Sequence, residues 1–362
     1  MTSKILFFDY SKNDDVLDRI RGYFRSIVEA TVSRGDRVTV KVHMGEYGNL
    51  TYLRPPFVRE FVMLVREAGG RPFVTDTTTL YPNQRFTADQ YLRTAASNGF
   101  TRDSVGAPII IADGPLGYSG VDQKLRKTVD GCEIKNIKVA KAIANSDAMV
   151  VLSHTKGHML SGFGGAIKNL AMGCTTKEGK AAQHFANRAA LNVDKCNGCG
   201  KCVGACPFDA VRIERSKHTK ILSKCMSCNN CYFDCTEGAL YLPEDAKTIF
   251  QINLAHAAQA VTARFRKGKI TYINFLQDIT KACDCCTPSG IPLTSDIGIL
   301  GGEDPVAIDK ASIDLIDRAP TYRENLERND TLGRLNGTSS LIHLKTAEKL
   351  GLGTLSYDLV KT

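Results

Sequence analysis

The chain has 362 residues, of which 43% are hydrophobic and 23% are charged, a composition typical of globular proteins. This length allows one large core or two to three domains. No run approaches the ~18 apolar residues that a membrane span needs, and Asp9 interrupts the apolar N-terminal stretch too early for a signal peptide. We therefore expect a cytoplasmic protein without membrane contacts. Its formal charge of +9 favours an acidic protein partner or an anionic substrate. Nucleic-acid binding is disfavoured, because there is no long basic stripe and no tryptophan.

Short apolar runs alternate with amphipathic stretches over the first 150 residues. The expected strands are 4–8, 37–43, 71–76, 108–112 and 147–153, and the expected helices are 13–30, 55–68, 87–97 and 137–145. The same pattern returns late in the chain, with a helix at 245–267, a strand at 269–275 and a helix at 305–317. The final residues are expected to be loosely held. This β-α-β-α order predicts an α/β fold with a mostly parallel sheet covered by helices.

The strand at 147–153 leads into a glycine-rich segment that contains His154 and precedes a helix. Backbone N–H groups at a helix start attract anions, and ligands of α/β proteins bind beyond the carboxyl ends of strands. We therefore predict a binding site here, although the spacing is not that of a known nucleotide motif; the alternative is a tight packed turn with surface lysines. The candidate catalytic residues are Lys156, His158, Lys168 and Asn169, and the candidate anion loop consists of Gly162, Gly164 and Gly165.

Residues 196–206 and 225–235 each contain four cysteines in C-x2-C-x2-C-x3-C order, which accounts for eight of the thirteen cysteines. Thiols in the cytosol stay reduced, so spaced cysteines indicate metal ligands. In paired runs of this type, the fourth cysteine of each run binds the cluster of the other run. The predicted ligands are Cys196, Cys199, Cys202 and Cys235 for one 4Fe-4S cluster, and Cys225, Cys228, Cys231 and Cys206 for the second.

The two runs form an internal repeat that resembles a bacterial two-cluster ferredoxin domain. Thr236 stands where the ferredoxin pattern has proline, which removes no ligand. Zinc knuckles are the alternative, but zinc sites more often use two separated cysteine pairs. Because similar α/β patterns lie on both sides, we expect a discontinuous α/β domain of residues 1–188 and 244–362. The ferredoxin-like α+β module would be an insertion at 189–243.

Three stretches together resemble the domain-of-unknown-function family 362: KGHMLSGFGGAIKNLAMGC, the eight-cysteine cassette and DIGILGGEDPVAIDKASIDL. The resemblance extends over nearly the whole chain and implies an α/β domain with an inserted two-cluster ferredoxin module, found mainly in anaerobes. It implies no particular reaction.

Family members also carry a C-x-C and a cysteine at the end of the glycine-rich segment, which implies a third metal site in this chain. Its residues would be Cys174, Cys283, Cys285 and the neighbouring Cys286. Helped by His158 or His184, these thiols would hold a third Fe–S cluster or another thiophilic metal ion. The alternatives are reduced thiols or a catalytic thiol pair.

These features favour an iron–sulfur oxidoreductase of anaerobic metabolism, in which two 4Fe-4S clusters transfer electrons to a cleft in the α/β domain. One alternative is a non-catalytic ferredoxin-type carrier that docks protein partners. Another is a protein that handles metal or sulfur through Cys283, Cys285 and Cys286. In the first two cases the partner is a redox protein, expected to be acidic, and the sequence specifies no small-molecule ligand.

Overall fold

The computed structural model describes residues 2–13, 15–132, 134–214, 218–323 and 326–361. In these ranges the strands are β1 (Ser3–Asp9), β2 (Arg37–Lys41), β3 (Arg71–Asp76), β4 (Ile109–Ile111), β5 (Gly120–Lys124), β6 (Asn136–Ala140), β7 (Ala148–His154), β8 (Lys156–His158), β9 (Gly162–Gly164), β10 (Ala190–Leu191), β11 (Val211–Ile213), β12 (Thr219–Ile221), β13 (Leu240–Tyr241), β14 (Ile270–Leu276), β15 (Gly298–Gly302) and β16 (Tyr357–Lys361).

The helices in the same ranges are α1 (Val16–Thr31), α2 (Pro55–Glu67), α3 (Ala88–Ser97), α4 (Arg102–Val105), α5 (Lys141–Ala144), α6 (Ala166–Gly173), α7 (Lys177–Gln183), α8 (Lys201–Gly204), α9 (Asn230–Phe233), α10 (Ala246–Thr262), α11 (Pro305–Arg318), α12 (Thr331–Leu335) and α13 (Ile342–Lys349). None of these helices is long and apolar enough to cross a membrane.

An eight-stranded sheet forms the centre of the described structure, in the order β16-β1-β15-β14-β7-β2-β3-β4. All neighbouring strands pair in parallel except β15, which is antiparallel to both β1 and β14. The predicted α/β class with a mostly parallel sheet is therefore confirmed. From β2 the chain adds β3 and β4 on one side, and from β7 it adds β14 on the other side. The strand order therefore reverses between the neighbouring strands β2 and β7. Ligand sites of such sheets lie at the carboxyl ends of the strands where the order reverses.

Helices cover both faces of this sheet and bury two cores. On one face, Phe61 of α2 lies between Phe24 and Phe275. The ring centroid of Phe61 is 5.8 Å from that of Phe24 and 5.9 Å from that of Phe275. On the other face, α10 packs between α6 and α13 and contributes Phe250 and Leu254. Because α10 is apolar around most of its circumference, it is buried along most of its length.

Two local expectations are wrong. The predicted helix at 137–145 begins as strand β6, whose alternating Ile137 and Val139 are buried while it pairs antiparallel with β5. Only Lys141–Ala144 of that stretch is helical. The final residues are not loosely held, because β16 pairs in parallel with β1 and Ser3 lies opposite Tyr357.

The cysteine-rich segment forms a compact unit between α7 and α10. Its ends meet where β10 pairs antiparallel with β13. Each half of the unit has a short helix followed by a strand: α8 and β11 in the first half, α9 and β13 in the second half. A small core of its own is made of Ala189, Cys202, Val211, Cys231 and Leu240. This arrangement is compatible with an insertion at 189–243, which stays a prediction.

Candidate metal and substrate sites

Two separate cavities in the cassette are each lined by four cysteines. One has an empty volume of about 300 Å³, and its cysteines are Cys196, Cys199, Cys202 and Cys235. The other has an empty volume of about 330 Å³, and its cysteines are Cys206, Cys225, Cys228 and Cys231. Each cavity takes three cysteines from one half of the cassette and the fourth from the other half. The structure thus brings together the same two sets that the spacing predicts.

The backbone wraps the two cavities in the same way. Left-handed conformations occur at Gly198 and Gly200 in the first half and at the equivalent Ser227 and Asn229 in the second half, with φ between 55° and 79°. Left-handed residues turn the chain sharply, and each of these flanks Cys199 or Cys228. These turns direct the three closely spaced cysteines of each half towards one cavity.

Several groups around the cavities donate hydrogen bonds to sulfur. The backbone N–H of Ala210 donates to Cys206 Sγ at 3.2 Å, and that of Leu240 donates to Cys235 Sγ at 3.4 Å. The Thr219 hydroxyl lies 3.5 Å from Cys196 Sγ, and its hydrogen bond lowers the pKa of Cys196 to about 7. Burial and the neighbouring thiols raise the pKa of Cys231 to about 12. Four crowded thiols of this kind become thiolates together only when a bound cation balances their charge.

A second candidate site is a cluster of buried charged residues at the carboxyl ends of β2, β3 and β7, which we call the cleft. Lys41 Nζ lies 2.9 Å from Asp76 Oδ1 and donates to Asn169 Oδ1 at 2.6 Å. Tyr91 donates from its hydroxyl to the other oxygen of Asp76. Burial raises the pKa of Asp76, but the charge of Lys41 and the hydrogen bonds from Tyr91 and Lys41 outweigh it and lower the pKa to about 2. The floor of the cleft is therefore a buried, ionised pair.

Asp284 contacts a histidine and a lysine in this cleft. Its Oδ2 lies 2.8 Å from His154 Nδ1, and its Oδ1 forms an ion pair with Lys156 Nζ at 2.8 Å. His154 Nε2 lies 2.7 Å from the carbonyl oxygen of Gln277, so both ring nitrogens face acceptors. Burial raises the pKa of Asp284, but the charges of His154 and Lys156 outweigh it and hold the pKa below its usual range. Lys156 Nζ also donates to the carbonyl and hydroxyl oxygens of Thr51 at 2.5 and 2.6 Å.

Arg85 closes the side of the cleft. Its Nε lies 2.9 Å from Glu46 Oε2, and its Nη1 lies 3.0 Å from His43 Nε2. Burial, followed by the charge of Arg85, lowers the pKa of His43 to about 3, so His43 is neutral near pH 7. The remaining nitrogen, Arg85 Nη2, is buried and has no hydrogen-bond partner in the described ranges.

Three of the predicted third-site cysteines meet beside this network. The Sγ atoms of Cys283, Cys285 and Cys286 lie within 4.8 Å of one another. Cys283 and Cys285 are joined as a disulfide in this structure, so a metal ion or cluster would bind their reduced form. Cys174 is not part of the group, contrary to prediction, because it ends α6 with its thiol buried against the Asn169 carbonyl at 3.8 Å. A group of three thiols can hold a metal ion or cluster.

The predicted histidines lie against Phe250 and not among the thiols. The ring centroids of His158 and His184 are 6.1 and 4.8 Å from that of Phe250. Both histidines are electrostatically coupled to Lys168. Burial is the main cause that lowers the pKa of Lys168, to about 8.

The predicted anion loop is occupied by a carboxylate of the protein. The N–H groups of Ala166 and Ile167, at the start of α6, donate to Asp309 at 2.7 and 3.0 Å. Gly165 permits this approach, because a Cβ atom there would lie 2.2 Å from Asp309 Oδ1. In this structure, therefore, Asp309 takes the place of the anion predicted at Gly162, Gly164 and Gly165.

Seven residues of the cleft are not among the candidates predicted from the sequence: Lys41, His43, Glu46, Asp76, Arg85, His154 and Asp284. Of these, His154 belongs to the glycine-rich segment in which the binding site is predicted. A signal for four of them exists: Lys41, Asp76 and His154 each end a strand of the sheet, and His43 lies two residues after β2. The rule that ligand sites lie at carboxyl strand ends applies to all four. Glu46, Arg85 and Asp284 lie in loops, for which the sequence offers no comparable signal.

The profile of one protein family, Domain of unknown function (DUF362), matches residues 38–314. A comparison with curated proteins found no match. Among solved structures, the lactate racemase apoprotein from Thermoanaerobacterium thermosaccharolyticum is similar at 10% identity with a TM-score of 0.34, covering 77% of this chain and 51% of that chain. A protein from Thermotoga maritima is similar at 10% identity with a TM-score of 0.39, covering 72% of this chain and 50% of that chain. This chain thus spans about half the length of each.

Proposed function

Because the chain belongs to the DUF362 family, whose description names no activity, we propose its function from the geometry of the site. The proposal is an iron–sulfur oxidoreductase of anaerobic metabolism that passes electrons through two 4Fe-4S clusters to the cleft of the α/β domain. The observation that carries it is the pair of cavities, each lined by four cysteines. When bound, clusters of this type supply one-electron transfer at potentials tuned by their surroundings.

The residues around both cavities fit such a group. Each cavity offers four sulfur ligands and N–H or hydroxyl donors to sulfur, which are among the features that tune Fe–S clusters in proteins. The small core between the cavities is made partly of Cys202 and Cys231 themselves. Zinc is the alternative for four-thiolate sets, but structural zinc sites more often use two separated cysteine pairs than a triplet with one remote cysteine.

One cavity lies next to the cleft. Phe208 lines the cavity of Cys206, Cys225, Cys228 and Cys231, and its ring centroid lies 6.3 Å from that of Phe86. Phe86 directly follows Arg85 of the cleft. Lys177 holds Phe86 in place, with Nζ 3.4 Å from the ring centroid and a 2.7 Å hydrogen bond to the Phe86 carbonyl. We therefore assign this cavity to the cleft side of the electron route.

The other cavity is the proposed contact site for the redox partner. Cys199 at its edge is exposed, and Lys201 both lines the cavity and reaches solvent. A positive group beside an exposed cysteine suits an acidic partner protein. The partner's docking would then bring its own redox group close to Cys199.

Within the cleft, the candidate residues take different roles. Lys156 and Asn169 are positioning residues, because Asp284 and Lys41 already engage them. Lys168 and His158 are the candidates to contact substrate. The thiols of Cys283, Cys285 and Cys286 are the proposed third site for a metal ion or cluster.

Purification of the full chain without oxygen tests the proposal. We expect about eight iron and about eight sulfide per chain for the two clusters, and a paramagnetic signal after reduction. Cys199→Ser and Cys228→Ser should each change the signal of one cluster only. Cys132→Ser is the matched control, because Cys132 lines neither cavity. Stoichiometric zinc without labile sulfide would contradict the proposal.

The thiol group at 283–286 supports a second candidate, metal or sulfur handling. In a Cys283→Ser/Cys285→Ser variant, loss of bound metal with both cassette clusters intact would place a third metal at this group. Metal content equal to that of the parent would exclude it. Transfer of metal or sulfur to an acceptor without redox cycling would favour handling over electron transfer.

A further inference from the structure

Most charged groups of the cleft are paired inside it, but two donors are not. Lys41 pairs with Asp76, Lys156 pairs with Asp284, and Arg85 Nε pairs with Glu46. Within the described ranges Arg85 Nη2 has no hydrogen-bond acceptor, although the Arg85 side chain is only 4% exposed. In the part of the chain that the structure describes, Lys168 Nζ likewise takes part in no hydrogen bond or ion pair.

The two donors belong to the same place. Gly164 lies opposite Lys156 in the β8–β9 pair, so Lys168, which packs against Gly164, is on the same side of that pair as Lys156. Lys156 binds Asp284, whose carbonyl oxygen accepts from the N–H of Glu46 at 3.0 Å. Glu46 in turn binds Arg85. Gly164 makes room for the Lys168 side chain, because a Cβ atom at Gly164 would lie 2.8 Å from Lys168 Cδ. The side chain of Lys168 therefore folds back over β9. Its Nζ would lie 3.8 Å from a Cβ atom at Gly164.

Among the described residues, no carboxylate forms an ion pair with Lys168. Its neighbours His158, His184 and His343 are held neutral, because burial lowers the pKa of each. The carboxylates of the cleft, Asp284 and Asp76, are already engaged by Lys156 and Lys41. The buried Arg85 Nη2 costs free energy as long as it has no acceptor, whereas Lys168 is partly exposed. A guanidinium together with an ammonium group suits a carboxylate or a phosphoryl group.

We infer that Arg85 and Lys168 bind the oxyanion group of a small substrate, a carboxylate or a phosphate, beside the thiols of residues 283–286. The inference rests on the proposed function only in calling this ligand the substrate of the redox reaction. The binding site itself is built from the α/β domain and requires no occupied cluster.

Calorimetry on the full chain, purified without oxygen, tests this site with two probes, malonate and inorganic phosphate. Sodium chloride at equal ionic strength is the reference. We expect saturable binding of one probe, and the preferred probe distinguishes a carboxylate substrate from a phosphorylated one. Lys168→Gln should weaken that binding about tenfold or more, which corresponds to about 1.4 kcal/mol. The control Lys267→Gln, at an exposed position, should leave it unchanged.

Gly164→Ala provides a second variant that keeps every charge. Its methyl group would displace Lys168, so the affinity should fall as in Lys168→Gln. Gly22→Ala is the matched control, because no atom lies within 4 Å of a Cβ placed there. Weaker binding in Lys168→Gln with full binding in Gly164→Ala would overturn the site in favour of a diffuse charge effect.

Two other outcomes also overturn the inference. One is that neither probe binds better than chloride. The other is binding that arises only after Cys283, Cys285 and Cys286 are replaced by serine, which would mean that thiolates balance Arg85 and Lys168. Iron, sulfide and the paramagnetic signal are measured on the same samples. Missing clusters with intact anion binding would contradict the proposed function alone, and missing anion binding with intact clusters would contradict this inference alone.

Discussion

Asp284 holds His154 and Lys156 in place at the centre of the cleft. All three side chains are at most 5% exposed. Charges removed from water in this way depend on their partners, because an isolated buried ion is far costlier than a paired one. The carboxylate of Asp284 is therefore a structural requirement of the site as well as a part of its chemistry.

Asp284→Asn should lower the free energy of unfolding by about 3–5 kcal/mol, because it leaves the buried Lys156 without its anion. Urea denaturation under anaerobic conditions measures this change. The control is Asp89→Asn, which breaks the exposed pair with Arg93 and should cost no more than about 1 kcal/mol. Equal effects of the two substitutions would show that the Asp284 pairs do not stabilise the cleft.

Gly173→Ala should disturb the pair of Lys41 and Asp76 without removing a charge. A Cβ atom at Gly173 would lie 2.3 Å from Lys41 Nζ, so the ammonium group must move. We expect a loss of about 1–3 kcal/mol in the free energy of unfolding. Gly22→Ala in α1 should instead be neutral or stabilising by up to about 1 kcal/mol, because alanine favours a helix. A stabilised Gly173→Ala protein would contradict the described position of Lys41.

At the scale of elements, the loop between β9 and α6 is fixed by a residue from another helix. Asp309 of α11 accepts from Ala166, from Ile167 and from Asn274 Nδ2, the last at 2.8 Å. Burial raises the pKa of Asp309 to about 6, despite these donors. The folded state therefore takes up a proton at Asp309 at a higher pH than the unfolded state does.

This shift predicts a pH dependence of stability. Between about pH 6 and pH 4 the folded state binds the proton and the unfolded state does not, so Asp309 makes the protein more stable as the pH falls. Between pH 7.5 and pH 5 the parent should therefore gain about 1 kcal/mol relative to Asp309→Asn. Urea denaturation of both proteins at the two pH values measures the difference. A parallel pH dependence would show that Asp309 is ionised throughout.

Local patterns in the sequence predict most of these elements but not their partners. Strand β7 and helix α11 follow the predicted ranges closely. Strand β6 was expected to be a helix, because short alternating runs fit both periods and only the pairing with β5 decides between them. Spacing predicts the three neighbouring cysteines of each set, and the exchange of the fourth cysteine known for paired runs of this type predicts the remaining one. The pairing of Arg85 with Glu46, and of Asp284 with His154, depends on how loops meet in space, which no local pattern specifies.

At the scale of the whole molecule, the cassette is joined to the rest of the chain at one narrow point. Ala190 lies opposite Tyr241 in the short β10–β13 pair, so the ends of the unit are adjacent. The other contacts with the α/β domain are few, among them Phe86 with Phe208 and Arg188 with the carbonyl oxygens of Ile221 and Leu222. We therefore expect the large sheet to fold without the cassette.

Replacing residues 189–243 by a short Gly-Ser linker should lower the Tm by no more than about 5 °C, because few contacts across the boundary are lost. Circular dichroism during heating measures the Tm. Replacing α10 in the same way should abolish folding, because that helix is buried between α6 and α13. An unfolded protein after removal of the cassette would show that residues 189–243 are not an independent insertion.

The exchange of one cysteine between the two halves affects how the cassette is made. A chain leaving the ribosome completes one four-sulfur set when Cys231 emerges and the other only four residues later, with Cys235. The first half alone supplies only three cysteines of one set and one cysteine of the other set. Both sites should therefore mature almost simultaneously, and a single cut between the halves would disable them together.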